Sequence, residues 1–299
     1  MKVRFTKCHG SGNDFPLIDA RELALADGEW AMLARALADR AGPVGGDGLL
    51  LLTGGDGDRA FGMRMFNSDG SEAETCLNGL RCVARAGFEA LGLRRARVRL
   101  RTSEAAVSLD AELAPGVYTV EEQAGPAGLD VRDWPVRLGV ERITDAAVPP
   151  LSPTLRFTAL AMPNPHFVCF VDAVDEAELV RVGLVCEAAP DWLPHRANVS
   201  FVEQREGGLF VRTHERGVGL TGRVPFGTAI TVWNRGGPVR ARADERLTVT
   251  LSGNATFEWE GEAEVRDGRV VALTTVRRFD EEVAAWARVV GTSDRSGAF

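Results

Sequence analysis

Apolar positions divide the chain into short strand-like runs separated by a few helical stretches. Residues 3–5 and 15–19 read as a first hairpin, and the Ala/Leu-rich segment 27–41 predicts a helix stopped by Gly42-Pro43. Residues 49–52 form a compact buried strand. Residues 63–66 form another, closed by the turn Asn67-Ser68-Asp69-Gly70. Beyond Cys76, Leu80, Val83, Ala84, Gly87 and Leu91 fall at helical spacing, and Gly92 ends the run. Apolar residues cover much of this helix, so it is expected to be buried. Residues 98–100, 106–113 and 116–122 return to strands.

The second half repeats the style of the first. Strands at 156–160 and 167–171 flank Met162-Pro163-Asn164-Pro165-His166, a helix follows over 176–185, and strands return at 198–204 and 209–213. The β-branched residues of 228–233 leave that segment open between a short helix and a strand. Strands near 247–251 and 257–260 close this half. The tail 279–290 places Val283, Trp286, Ala287 and Val290 on one helical face, with Asp280 as N-cap. That face suits either capping a lobe or joining two chains as a homodimer. The Gly/Pro-rich stretch 123–128 marks the boundary between halves. Strands before and after helices, without a βαβ rhythm, give the α+β class.

Composition narrows the function classes. The 299 residues suffice for one large or two ordinary domains, and 45% hydrophobic with 26% charged residues is ordinary for a soluble globular chain. A formal net charge of -7 without a Lys/Arg block argues against nucleic acid as a partner. The N-terminus lacks the apolar region of a signal peptide, and no run of about 18 apolar residues occurs. A cytoplasmic protein without membrane contact is expected. Its five cysteines (Cys8, Cys76, Cys82, Cys169, Cys186) are odd in number and scattered, so reduced thiols are the default. Neither Cys-x-x-Cys nor His-x-x-x-His occurs, which leaves no metal signature. Gly10-Ser11-Gly12-Asn13-Asp14-Phe15 has two glycines of a dinucleotide fingerprint and a Phe in place of the third, a weak match. Phosphate-loop and serine-hydrolase elbow motifs are absent.

The segment Ser71-Glu72-Ala73-Glu74-Thr75-Cys76-Leu77-Asn78-Gly79-Leu80-Arg81-Cys82 places a thiol where a helix begins. In the first turn, unpaired N–H groups and the helix dipole stabilise a thiolate, lowering its pKa from about 8.5. The same N–H groups grip a carboxylate. One site then holds an acid group beside the base that attacks its neighbouring carbon. The alternative is that Cys76 packs as a small buried hydrophobe, the reading that also suits Cys82 deeper in the helix.

Six segments decide between these. His9-Gly10-Ser11-Gly12-Asn13-Asp14-Phe15, Phe66-Asn67-Ser68-Asp69-Gly70-Ser71-Glu72, Cys76-Leu77-Asn78-Gly79-Leu80-Arg81-Cys82, Asn164-Pro165-His166, Arg196-Ala197-Asn198 and His214-Glu215-Arg216-Gly217 resemble the diaminopimelate epimerase family in order and spacing. The resemblance covers residues 3–270 and is most specific over 67–85. It implies two pseudo-symmetric lobes, each a mixed, mostly antiparallel sheet around a central helix, with the substrate in the cleft between them. The lobes would span 1–124 and 125–260, with a strand at 261–275 returning to the first and an extra helix or tail at 276–299. It also implies no cofactor and a small-molecule substrate bearing carboxylate and ammonium groups.

By the resemblance, Cys76 is one of two catalytic thiols, and the backbone N–H groups of Leu77 and Asn78 belong to the carboxylate grip. Asn13, Asn67, Asn164, Asn198, Glu215 and Arg216 match substrate-binding residues, the last two suited to an ammonium and a carboxylate at the far end. Inverting an α-carbon without pyridoxal needs proton removal on one face and delivery on the other. Here the sequence departs from the family. The run Val224-Pro225-Phe226-Gly227 stands where the family carries its second cysteine in a Cys-Gly-Ser-Gly run. Valine has no titratable proton, and Pro225 removes a backbone N–H. Gly48 replaces a substrate-contacting Gln, and Leu77 a Gly. Three readings follow: an isomerase working chiefly through Cys76, with water, Thr221, Thr228 or His214 in place of the missing thiol; a true diaminopimelate epimerase with a relocated second acid/base; and a binding protein without turnover.

Overall fold

A computed structural model of the chain describes residues 1–73, 76–132, 136–162, 164–206, 208–214, 226–234 and 236–295. Its first elements are β1 Lys2–Gly10, β2 Asn13–Asp19, α1 Asp27–Ala38, β3 Gly48–Asp56, β4 Arg59–Asn67 and α2 Leu77–Leu91. There follow β5 Arg95–Arg99, β6 Glu104–Leu109, β7 Thr119–Pro126, β8 Ala146–Val148, β9 Ser152–Met162, β10 Asn164–Val171 and α3 Glu176–Glu187. The chain continues with β11 Asn198–Arg205, β12 Gly208–His214, β13 Ile230–Asn234, β14 Gly237–Ala243 and β15 Thr248–Asn254. It ends with β16 Thr256–Arg266, β17 Arg269–Arg278 and α4 Asp280–Arg295. The class is α+β, as the strand and helix pattern predicts. No helix among the described residues is long and apolar enough to cross a membrane.

Two compact units result among the described residues, one of 1–123 with 252–295, the other of Ala124–Leu251. In the first, strands pair in the order β17–β16–β1–β2–β3–β4–β5–β6–β7. The β2–β3 and β4–β5 pairs are parallel and the rest antiparallel. This mixed sheet has helices on both faces, which explains the uninterrupted run Leu49–Leu50–Leu51–Leu52. Leu50 and Leu52 pack with Leu80, Val83 and Phe88 of α2, while Leu49 and Leu51 pack with Trp30, Leu33 and Leu37 of α1.

Residues 257–260, expected to close the second half, instead lie in β16 and pair with β1 from His9↔Thr256 onward. Phe257 enters the core around α2, and Trp259 meets Phe5 edge-on at 4.9 Å, so apolar contacts hold this strand to the first unit. The return therefore begins at Ser252 rather than near 261. The boundary expected within 123–128 falls between Gln123 and Ala124, inside β7, which runs on to Pro126.

In α4, Asp280 is the first helical residue and not the cap, since the Val283 N–H donates to Phe279 O and the Asp280 carboxylate accepts from Arg278 Nε at 3.0 Å. The buried face is Ala285 and Trp286, joined by Val289 and Val290, packed on Val117, Leu113 and Ala114. Val283 is exposed, and so is Ala287. The tail thus caps the first unit through a face turned by about one residue from the expected one.

The second unit orders its strands β8–β9–β10–β11–β12–β13–β14, with β10–β11 and β12–β13 parallel. From β9 to β14 the alternation is antiparallel, parallel, antiparallel, parallel, antiparallel, as it is from β1 to β6. Segment 228–233, open between helix and strand, falls largely in β13. Helix α3 is capped by Asp175, whose carboxylate accepts from the Ala177 and Glu178 N–H groups. Leu179, Val182 and Cys186 pack it against Phe157, Phe167, Val199 and Phe201.

Candidate functional site

Cys76 is the N-cap of α2. Its backbone is extended (φ -148, ψ 105), its carbonyl accepts the Leu80 N–H at 2.8 Å, and its Sγ accepts the Gly79 N–H at 3.4 Å. Donation from the helix start stabilises negative charge on sulfur. The N–H groups of Leu77 and Asn78, in the first turn, lack intrahelical acceptors by helix geometry. The side chain is also 6% exposed and packs in the core of the first unit, so packing and charge stabilisation coincide at one residue. Cys82, less than two turns on, is fully buried in that core.

Two close approaches hold the helix start. A Cβ on Gly10, at the end of β1, would lie 2.4 Å from the Asn78 carbonyl oxygen. The hairpin tip therefore rests on the first turn of α2. Its turn residues Ser11 (φ 49) and Gly12 (φ 85) both have positive φ, the geometry of a tight two-residue hairpin. At the other end, Gly92 (φ 66) closes α2 in the left-handed conformation, as its position after Leu91 predicts.

Around this start runs a polar network. Asn78 Nδ2 donates to Asn13 Oδ1 at 2.5 Å, and Asn13 Nδ2 donates to Asp47 Oδ2 at 2.8 Å. Arg81 donates from Nη2 to Asn78 Oδ1 at 2.6 Å and to Ser11 Oγ at 2.9 Å, from Nη1 to Glu122 Oε1 at 2.6 Å, and from Nε to Asn254 O at 3.2 Å. Arg40 bridges Asp14 and Asp47, while the buried Lys7 donates to Asp14 Oδ2 at 2.5 Å and to Gly45 O at 2.6 Å. Burial alone would raise the Asp14 carboxyl, but the bonds from Arg40 and Lys7 outweigh it and hold it below its ordinary value. Glu122 is pushed up to about 7 by complete burial, with Arg81 opposing. His9 is lowered to about 4, chiefly by burial, and lies 3.2 Å from Asn254 Nδ2.

Asn67 ends β4, half-buried, with its Nδ2 donating to Ser71 Oγ at 2.9 Å. It pairs in register with Gly48, where a Cβ would lie 2.3 Å from Phe66 O. The first unit therefore joins Asn13 and Asn78 directly at the Cys76 end of α2 and sets Asn67 at the strand end that leads to it.

In the second unit, His166 of β10 stands opposite Asn198 of β11 in parallel register. Burial lowers His166 to about 4, and its Nδ1 has no partner among the described residues. Asn198 follows Arg196, whose positive φ of 59 turns the chain into β11. Asn164 opens β10, but its side chain lies outside the described residues, as do Glu215, Arg216, Thr221 and Val224. Thr228 is exposed, and the His214 side chain is not among those described.

Sequence reasoning missed Ser11, Asp47, Arg81, Glu122 and Asn254. One signal was present: Arg81 and Arg85 sit at i, i+4 inside a helix expected to be buried, and such guanidinium groups require partners. Arg85 meets Glu282 of α4, with its guanidinium 3.9 Å from the centre of the Phe257 ring. Among the described residues no three His, Cys, Asp or Glu side chains converge as metal ligands.

Comparison with known proteins adds the family. A profile described as diaminopimelate epimerase matches residues 5–127, close to the first segment of the first unit. The diaminopimelate epimerase of Clostridium acetobutylicum is 34% identical across 96% of this chain and 93% of that protein. That of Enterococcus faecalis is 38% identical across 86% and 88%. Among solved structures, a Bacillus anthracis phenazine biosynthesis protein of the PhzF family superposes with a TM-score of 0.61 at 14% identity, covering 89% of this chain and 100% of that one. A hydroxyproline epimerase from Agrobacterium vitis, with bound trans-4-hydroxy-L-proline, gives 0.57 at 12% identity, covering 93% and 92%. At these identities the structures establish a shared fold.

Proposed function

The chain belongs to the diaminopimelate epimerase family, and from that premise we propose that it is a cofactor-independent isomerase with Cys76 as its main acid/base. It moves the proton at the α-carbon of an amino acid or related carboxylate. The observation that carries this is the N-cap geometry: Sγ accepts the Gly79 N–H beside the first-turn N–H groups and the Asn78–Asn13 pair. A carboxylate on the Leu77 and Asn78 N–H groups presents its α-carbon to the thiolate. As Sγ takes the proton, negative charge grows on the carboxylate oxygens, where those N–H groups and the helix dipole stabilise it. The thiol then returns the proton to the carbanion. Asn67, Asn164, Asn198, Glu215 and Arg216 bind the rest of the substrate, the last two supplying complementary charges for an ammonium and a carboxylate.

Return to the same face needs one base, and inversion needs a second donor. Strand order supports Val224 as the position of the lost second thiol: residues 215–229 connect β12 to β13, as residues 68–94 connect β4 to β5. No cysteine occurs after Cys186 in any case. The similarity to diaminopimelate epimerases along most of the chain favours a second reading, inversion of diaminopimelate with a group other than a thiol as the second acid/base.

Incubation with LL-diaminopimelate and related amino acids in D2O separates these readings. Loss of the α-proton signal with retained configuration supports chemistry on one face. Inversion at enzymatic rate establishes the second reading. Saturable binding without exchange removes the isomerase proposal and leaves a carboxylate-binding protein.

A further inference from the structure

Asparagine amides present a donor at one end and an acceptor at the other, and which end faces a ligand decides whether they help or hinder binding. In the first unit two such amides lie in series between groups that have no such ambiguity. Arg81 is a donor only, so the end of Asn78 that it meets at 2.6 Å must be Oδ1. Asn78 then turns its NH2 to Asn13, which must meet it with Oδ1 and turn its own NH2 to Asp47. The Asp47 carboxylate is an acceptor only when ionised, so the chain of polarity agrees from both ends.

Arg81 is itself fixed. It is 1% exposed, one Nη1 N–H is held by the fully buried Glu122, the second Nη2 N–H by Ser11, and Nε by the Asn254 carbonyl. A buried ion pair is seldom a better stabiliser than apolar side chains of similar volume, so stability alone is a weak account of this one. We propose that Arg81, held by Glu122, is a positioning residue that fixes the orientation of the Asn78 amide and, through it, that of Asn13. This rests on the reading above that Asn13 and the start of α2 bind the substrate. One N–H of Asn13 is committed to Asp47, and the relay leaves the second as a donor for a substrate oxygen. A flipped Asn13 would present an acceptor instead, and a carboxylate would lose a bond and face a lone pair.

The test compares Arg81→Gln, Arg81→Lys, Asn78→Asp, Asn78→Ala and the double variant Arg81→Gln/Asn78→Ala. Two readouts are used: kcat and KM for α-proton exchange of LL-diaminopimelate, and the side-chain amide signal of selectively 15N-labelled Asn13. Glutamine can offer Asn78 either a donor or an acceptor, so Arg81→Gln should raise KM about 10- to 100-fold and shift or broaden the Asn13 signal. Lysine remains a donor only and should restore most of both. Asn78→Asp keeps the acceptor toward Arg81 but turns an acceptor toward Asn13, and should raise KM to a similar degree. Asn78→Ala already severs the relay, so adding Arg81→Gln should raise KM little further.

Multiplying KM effects in the double variant, or an Asn13 signal indifferent to Arg81→Gln and Asn78→Asp, would overturn the proposal. If Arg81→Gln does not fold, Asn78→Asp, which keeps the buried ion pair, decides alone. A wild-type protein without exchange would defeat the isomerase reading, whereas the Asn13 signal reports on the relay without turnover.

Discussion

The parallel strands β4 and β5 of the first unit are joined by residues 68–94, which carry α2 with Cys76 at its cap; the corresponding strands β12 and β13 of the second are joined by residues 215–229, which carry no cysteine. Some of the ion pairs among the described residues differ in reach. In the first, Arg81 reaches across 41 residues to Glu122 and 173 to Asn254, and Arg85 reaches across 197 to Glu282. In the second, Arg132–Asp130, Arg181–Glu178 and Arg205–Glu203 are neighbours in sequence, although Arg212–Glu176 spans 36 residues. Long-range buried pairs hold several segments in one register, whereas exposed local pairs such as Arg132–Asp130 contribute little to stability or to placement. One alternation of strands thus supports a tightly oriented polar site in the first unit, where the family profile also matches.

The largest difference in stability between the units is expected at α4. Trp286→Ala should destabilise the first unit by about 3–5 kcal/mol, read from urea midpoints, because the ring is buried against Val117 and Ala285. Leu184→Ala on the exposed face of α3 should change stability by less than about 0.5 kcal/mol. Equal effects would mean that α4 is no part of the first core.

Acid tests the buried His166 next. The folded His166 is lowered to about 4 from 6.5, so the unfolded chain takes up the proton first as pH falls. Its contribution to stability is full above pH 6.5 and is lost on going down through pH 4. The whole shift corresponds to roughly 3 kcal/mol. His9 acts in the same sense, so His166→Gln should reduce the acid-induced loss between pH 7 and pH 4 without abolishing it. An unchanged loss would show that His166 does not stay neutral.

Two glycines sharpen the contrast by smaller amounts. Gly48→Gln should cost about 1–3 kcal/mol, since its Cβ meets the Phe66 carbonyl oxygen at 2.3 Å, and should restore no substrate contact. Gly128→Ala in the second unit, with its Cβ at 3.8 Å from Ala161, should be nearly neutral. The smallest effect is expected from Asp280→Ala, less than about 0.5 kcal/mol, because Asp280 is not the cap of α4. A thermal melt measures all three, and a loss near 1 kcal/mol at Asp280 would restore its capping role.

Local chemistry was legible where it acts alone. The buried α2, its stop at Gly92, the paired first strands and the two-sided burial of the Leu49 run follow from spacing and turn residues. The face of α4 was misplaced by one residue because Trp286 and Ala285, rather than Val283 and Ala287, meet Val117, a partner far away in sequence. The same limit hid Glu122 and Asn254. Nothing near either residue in sequence reveals the guanidinium that each receives. The place of Cys76 at the start of α2 was legible because that setting, ahead of an apolar helix, is itself local.

The central claim, that Cys76 is the base, is tested most directly by following the α-proton of LL-diaminopimelate in D2O by NMR with the wild type, Cys76→Ser and Cys82→Ala. Both thiols lie on one helix and in one core, but only Cys76 caps the helix start. Exchange by the wild type and by Cys82→Ala, with a fall of about 10³-fold in Cys76→Ser, is the predicted result. Exchange by Cys76→Ser at the wild-type rate would contradict it.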